Sequence, residues 1–406
     1  MKRRFFSILI VSVSLLFTSC GEDFPEITPV VLSSFTETVL TTPYTPDYVK
    51  QLLTTSGLNQ QAERATYEVK IYTLKYKTNF NGKTIEASGL IAIPVPLENN
   101  EEFPIMSFQH GVLTRNEDAP TSNIYKTPVS ELTYLASTGM IVVIPDYVGF
   151  GATSDTFHPF MMKDANVVTI IDMIKAAKEF VISEKFCKYN DNLFLVGHSE
   201  GANLTLATLH SIENNSKYSD LTVAATACCG GIYNLVDFQN WMVQQPRYEQ
   251  PLFIVYMLEA FSKFENLNID YSLVFSDAFA PSIQGIIDGT KTSEQINSSF
   301  GTYHVGELFN DDFEDTLIFN NELQYAQLYQ ILEKNSIPVW NLKSDVTLHY
   351  GKNDIWAPGQ LTLETYIKFR KEYPTERIKI NAIDNVAHEN SVLPMISEAM
   401  IRFSNY

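Results

Sequence analysis

The segment Gly197-His198-Ser199-Glu200-Gly201 follows an apolar run, Asn192 to Val196, and opens a stretch of helical spacing, Ala202 to Ile212. A G-x-S-x-G string between a strand and a helix puts its serine on a sharp turn with an unfavourable backbone. Gly197 and Gly201, two residues either side, let neighbouring backbone approach closely. Such a turn lifts the Ser199 hydroxyl into the open. It also sets the next N–H, that of Glu200, at a helix N-terminus, where developing negative charge is favoured. The segment reads as a nucleophile, against the plainer alternative of a Gly-Ser loop at a helix start.

A serine hydroxyl needs a base, and the base needs an acid to orient it. In a strand-turn-helix site both follow the serine, acid first, each just after a late strand. Of seven histidines only His304, His349 and His388 come late enough. His349 falls inside an expected strand and His304 inside a long helical stretch. His388, in Asn385-Val386-Ala387-His388-Glu389, falls in a loop between the last strand and the last helix. For the acid, Asp354 comes just past the strand ending at Tyr350. Asp345 precedes that strand, and Asp384 stands only four residues from His388. Ser199, Asp354 and His388 are the expected catalytic residues. The competing readings are a turn or cap role for Asp354 and a surface or cap role for His388.

These residues need elements to position them. Alternating polarity over Tyr67–Lys77 and Thr84–Val95, around Asn81-Gly82, predicts a β-hairpin. Strands are then expected over Pro104–Gln109, Met140–Pro145, Asn192–Val196 and Leu221–Ala227. Helical spacing over Ser130–Thr138, Ala165–Phe180 and Ala202–Ile212 separates them. The alternation stops from about residue 232 to 340, which reads as mostly helical and rich in Phe, Tyr, Leu and Met. It returns with strands over Val346–Tyr350 and Arg377–Ile383 and helices over Leu361–Tyr373 and Val392–Phe403. Continuous apolar strands alternating with helices predict an α/β fold, a mostly parallel sheet with helices on both faces. The expected division is 1–20 signal, 21–66 tether and helix, 67–230 first part of the sheet domain, 231–343 inserted helical lid, and 344–406 second part.

From about residue 67 to the C-terminus the chain resembles an α/β-hydrolase. Pro145-Asp146-Tyr147-Val148-Gly149-Phe150-Gly151, with Ser154 and His158-Pro159, resembles exported bacterial esterases and the secretory-lipase group. Ala202 stands where that group often has another glycine. The resemblance makes Asp146 a loop-structuring residue. It also likens Phe108-Gln109-His110-Gly111-Val112 to the oxyanion-hole turn of such enzymes. Val112 and Glu200 N–H are then the expected oxyanion donors, with Leu113 the fallback for Val112, and His110 and Gly111 shape the loop. Similar enzymes carry a lid between nucleophile and acid. Here Trp241, Met242, Phe253, Tyr256, Met257, Phe261 and Phe264 serve equally as an acyl-pocket lining or as the lid's own core.

The implied activity is hydrolysis of carboxylic esters through an acyl-enzyme, by an esterase or lipase acting on a small-molecule ester or lipid. The rival readings are a peptidase with the same triad and a surface glycan- or lipid-binding lipoprotein without catalysis. No metal-ligand spacing or phosphate-cradling glycine loop appears, so no metal and no cofactor are expected. The acidic run Asn310 to Asp315 lacks calcium-loop spacing and reads as a solvated helix start.

The chain has 406 residues, 47 acidic against 29 basic, a formal charge of −18, and 45% hydrophobic residues. That composition is globular, and the acidic balance argues against nucleic acid as a partner. Lys2, Arg3 and Arg4 precede an apolar stretch, Phe5 to Phe17, of signal-peptide rather than membrane-span length. Phe17-Thr18-Ser19-Cys20 resembles a bacterial lipobox, which makes Cys20 the expected lipidation site; an ordinary cleaved signal with an incidental Cys is the alternative. Glu22 and Asp23 resemble a surface-export signal of some Gram-negative lipoproteins. The expectation is an exported protein held to the outer membrane by an N-terminal lipid anchor. Loss of the three basic signal residues takes the charge from −18 to −21. Cys187, Cys228 and Cys229 remain, an odd number, and read as buried small apolar residues, with a Cys187 pairing as the minority reading.

Overall fold

The structure, a computed structural model, describes residues 36–39, 43–98, 100–184, 187–267, 270–277, 279–283, 285–311 and 322–406. Cys20, the signal stretch and most of the acidic run (312–315) lie outside the described residues. Nine strands form one sheet: β1 (Thr36–Val39), β2 (Glu68–Phe80), β3 (Lys83–Val95), β4 (Glu102–Gln109), β5 (Ile141–Pro145), β6 (Lys188–His198), β7 (Val223–Cys229), β8 (Asp345–Gly351) and β9 (Ile378–Ile383). Their order is β1-β2-β3-β5-β4-β6-β7-β8-β9. The first three pair antiparallel, β3 meets β5 antiparallel, and every later pairing is parallel.

The expected hairpin is present. Phe80 pairs with Lys83 across a two-residue turn, with Asn81 at φ +50° and Gly82 at φ +75°. Two left-handed residues in succession are what a right-twisted hairpin turn demands, and Asn-Gly adopts them at least cost. The parallel strands are buried throughout their centres: all five residues of β5 and Leu193–Val196 of β6 are inside. Helices on both faces cause this, and it explains why these strands read as unbroken apolar runs.

The helices are α1 (Pro46–Thr55), α2 (Asn59–Arg64), α3 (Val129–Tyr134), α4 (Lys163–Glu184), α5 (Glu200–Asn214), α6 (Leu235–Met242), α7 (Pro251–Phe264), α8 (Tyr271–Val274), α9 (Ser293–Ser299), α10 (Val305–Leu308), α11 (Glu322–Asn335), α12 (Gly359–Glu372) and α13 (Val392–Phe403). The long α4 and α5 share one core with the sheet, while α13 packs in a second with α1 to α3. The inserted segment builds a third core, which Phe160, Met161, Met162 and Leu361 join from the sheet domain. Among the described residues there are thus three apolar clusters, two on the sheet and one mostly in the cap.

Two boundaries differ from the sequence reading. Within the expected tether, β1 pairs at the sheet edge. The helix expected after it is α1, and Val49, Leu53, Leu58 and Ala62 share a core with α13. Thr/Pro/Ser richness signals exposed chain, but an open strand edge can still recruit such a segment. The cap also ends early. Ile337, Trp340 and Leu342 already lie in the sheet's core. Glu213 of α5 fastens that return, accepting from Trp340 Nε1 at 2.7 Å and from the Lys343 and Ser344 backbone N–H at 3.0 and 2.9 Å.

Candidate active site

β6 ends at His198 and α5 begins at Glu200, so Ser199 alone makes the turn. Its backbone sits at φ +59°, ψ −125°, a conformation a side chain opposes and that persists only where surroundings impose it. The flanking glycines show what imposes it. A Cβ on Gly201 would stand 1.9 Å from the Gln109 carbonyl oxygen, and one on Gly197 would stand 2.2 Å from the Gly201 carbonyl oxygen. Ser199 N–H donates to the Cys229 carbonyl at 2.9 Å, tying the turn to β7.

The structure brings Ser199, His388 and Asp354 together. The Ser199 hydroxyl faces His388 Nε2 at 2.8 Å, and His388 Nδ1 faces Asp354 Oδ2 at 2.7 Å. Asp354 Oδ1 accepts the Trp356 and Ala357 N–H groups, both at 2.9 Å. A carboxylate oxygen only accepts, so Nδ1 carries a proton and Nε2 is left to take one from the serine. All three residues are buried. Gly230, at φ +62°, backs the pair: a Cβ there would lie 3.1 Å from His388 Cε1 and 3.2 Å from Asp354 Oδ2. Asp345 opens β8 at the opposite end of that strand, and Asp384 pairs with Lys352 at the surface. His349 is buried inside β8 and lies near Glu398, while His304 caps α10.

His198 was not singled out by sequence reasoning. Its Nε2 lies 3.0 Å from the His388 carbonyl and 3.0 Å from Ser391 Oγ, so it donates to the His388 backbone. Burial, then the neighbouring His388, pushes its pKa down to about 3, which keeps it neutral. The motif hid this: the position between glycine and serine tolerates many residues, and only the fold shows which one reaches across.

The loop after β4 reaches the nucleophile. A Cβ on Gly111 would stand 3.2 Å from Ser199 Cβ. Among the described residues, no protein acceptor takes the Val112 or Glu200 N–H. His110 is buried and packs against Tyr147, with ring centroids 4.1 Å apart and the planes tilted by 30°. Burial pushes its pKa down to about 4. The Tyr147 hydroxyl donates to the His110 carbonyl at 3.0 Å, pinning the loop. Asp146 ties further segments together, accepting from Ser88 Oγ at 2.5 Å and from Thr121 N and Oγ1 at 2.9 and 2.6 Å. These contacts fit the loop-structuring place that the family resemblance implied for it.

A cavity of about 220 Å³ opens beside Ser199 and His388, with mostly apolar walls that include Val112, Leu113, Pro128, Val129 and Trp356. None of the seven cap residues weighed as an acyl-pocket lining contributes to it. Met242, Phe253, Tyr256, Met257 and Phe261 are buried in the cap's own core, with Trp241 and Phe264 packed against it. Cap and site meet at Trp356, whose ring lies 5.0 Å from that of His388 and whose carbonyl accepts from the Tyr248 hydroxyl at 3.2 Å.

Cys187, Cys228 and Cys229 are all free and buried. Burial raises their thiols, Cys187 and Cys229 to about 12, so they remain inert apolar filler.

The sheet order, the elbow and the cap between β7 and β8 define the α/β-hydrolase fold. Solved structures with that arrangement match over nearly the whole chain. A Legionella pneumophila protein inferred to be a hydrolase is 22% identical with a TM-score of 0.78, covering 91% of this chain and 97% of its own. The rice cell wall degrading esterase LipA from Xanthomonas oryzae is 20% identical with a TM-score of 0.75, covering 91% and 96%. Candida antarctica lipase A is 15% identical with a TM-score of 0.56, covering 79% and 73%. The sequence pattern of the prolyl oligopeptidase family matches residues 126–245, which include Ser199 but neither Asp354 nor His388. No curated protein matches the sequence.

Proposed function

We propose that the protein is a serine hydrolase that cleaves carboxylic esters. Ser199 attacks the ester carbonyl while His388 takes its proton, and Asp354 orients and balances the imidazolium. The Val112 and Glu200 N–H groups receive the oxyanion. The proton then passes to the departing alcohol, and water repeats the sequence on the acyl-enzyme. The observation that carries this reading is the buried Ser199–His388–Asp354 chain on a strained elbow. A cavity of about 220 Å³ with apolar walls suits a short acyl or alcohol group.

A second reading is a peptidase using the same groups, favoured by the match of the prolyl oligopeptidase pattern over residues 126–245. p-Nitrophenyl esters of increasing acyl length, run beside aminoacyl p-nitroanilides, separate the two. Ester turnover that falls roughly 10 000-fold in Ser199→Ala supports the first reading. Amide turnover exceeding ester turnover supports the second. An unchanged Ser199→Ala rate contradicts both, and wild-type protein that turns over neither substrate and resists a fluorophosphonate restores a non-catalytic binding protein.

We further read the N-terminus as a lipid anchor at Cys20, on an exported protein of the outer membrane. No helix among the described residues is long and apolar enough to cross a membrane. Labelling cells with a fatty-acid analogue tests this. Incorporation lost in Cys20→Ser supports it, and incorporation that persists opposes it.

A further inference from the structure

Glu200 supplies an oxyanion N–H, yet its side chain is also buried beside the place where negative charge develops. A bare carboxylate there would oppose the reaction it helps. Its Oε1 lies 2.8 Å from His158 Nε2, with both side chains 1% exposed. His158 Nδ1 lies 2.7 Å from the Val148 carbonyl, which can only accept, so that nitrogen carries a proton. The Nε2–Oε1 contact needs one further proton, on either partner. The pair is neutral in total in both arrangements: imidazolium with carboxylate, or imidazole with carboxylic acid.

Among the described residues, no lysine or arginine pairs with Glu200. Tyr147, Phe150, Phe160 and Tyr256 enclose the His158 ring at centroid distances of 5.8, 5.2, 6.4 and 5.9 Å. Of these, Tyr147 and Tyr256 are phenols raised by burial, and His110 across Tyr147 is held neutral. Asp146 behind the loop is engaged with Ser88 and Thr121. Asp155, Lys263 and Asp288 line the outer cleft that His158 also borders. Glu200 Oε2 is buried without a hydrogen-bond partner among the described residues.

We infer that His158 and Glu200 form a charge-balancing and positioning pair for the oxyanion hole, one shared proton keeping the first turn of α5 neutral during ester hydrolysis. The pair acts through the Glu200 N–H and is not itself a catalytic residue. His158 reaches the pair from the loop before α4, and Tyr256 reaches it from the cap, so the pair joins elbow, loop and cap. The inference rests on ester hydrolysis at Ser199.

The test is the ratio of variant to wild-type kcat, and of KM, for p-nitrophenyl butyrate at pH 8. His158→Phe leaves the Glu200 carboxylate without its partner. Its kcat falls about tenfold or more, with KM little changed. Adding Glu200→Gln to His158→Phe removes the charge and restores most of kcat. His158→Asn, gentler on packing, repeats the loss if His158→Phe fails to fold. An unchanged kcat in a folded single variant, or a loss that survives Glu200→Gln, overturns the inference. Wild-type protein that neither turns over the ester nor reacts with a fluorophosphonate overturns the proposed function instead, and the inference with it.

Discussion

The sheet and the cap are built from different physics. In the sheet, position is fixed by pairing: β6 lies between β4 and β7, and the residue that leaves its end cannot drift. The elbow is over-determined by contacts no larger side chain could share, at Gly197 and Gly201. Among its described residues the cap contributes no strand to the sheet. Among the described residues it consists of helices from four to fourteen residues, joined by loops and packed around Phe, Tyr, Met and Ile. Aromatic pairs such as Phe275 with Phe309 and Phe279 with Phe300 hold it together. The lesson is that apolar richness near an active site is not a substrate pocket by default. The cap spends its aromatics on itself, and the site borrows Trp356 from the loop after β8.

The largest effect that would sharpen this contrast is Gly201→Ala. Its methyl must displace the Gln109 backbone, and a cost above about 4 kcal/mol is expected, read as loss of soluble folded protein or collapse of the urea midpoint. A folded, active Gly201→Ala enzyme would show that the elbow is not over-determined. Next comes Phe261→Ala, at a fully buried cap position, which should cost about 3–5 kcal/mol. Limited proteolysis should then cut the cap first, while fluorophosphonate labelling persists. Simultaneous loss of both would mean that cap and sheet form one cooperative unit.

A smaller effect concerns pH. His110 and His349 are lowered to about 4 and His198 to about 3, chiefly by burial. As pH falls below about 6.5 the unfolded chain binds protons that the folded one refuses. Each such histidine therefore weakens the fold as pH drops toward its folded value, by about 2 kcal/mol near pH 5. Urea unfolding at pH 7 and pH 5 checks the direction, and His349→Gln should show the shallower slope. The smallest effect is at the cap surface. Lys334 pairs with Glu265 at 2.6 Å, and with Lys334 half exposed, Lys334→Ala should shift stability by no more than about 0.5 kcal/mol.

The same contrast explains what was legible in the sequence. Period and burial leave a strong signature where a strand is covered on both faces, so β5, β6 and β8 are found within a few residues. Ser199, Asp354 and His388 are legible because each follows a strand and the order is fixed by topology. What the sequence hides is long-range contact. Nothing near His158 predicts that its ring meets Glu200, 42 residues on, nor that His198 reaches the His388 carbonyl. Short cap helices carry too few turns for a period to show. Thr36–Val39 is a strand only because β2 offers it an edge.

The central claim is that Ser199 is an activated nucleophile, and covalent labelling tests it most directly. Purified protein treated with a fluorophosphonate and digested should carry one adduct, on the peptide containing Ser199, with none formed in Ser199→Ala. An unlabelled wild-type protein, or an adduct on any other residue, would contradict the account.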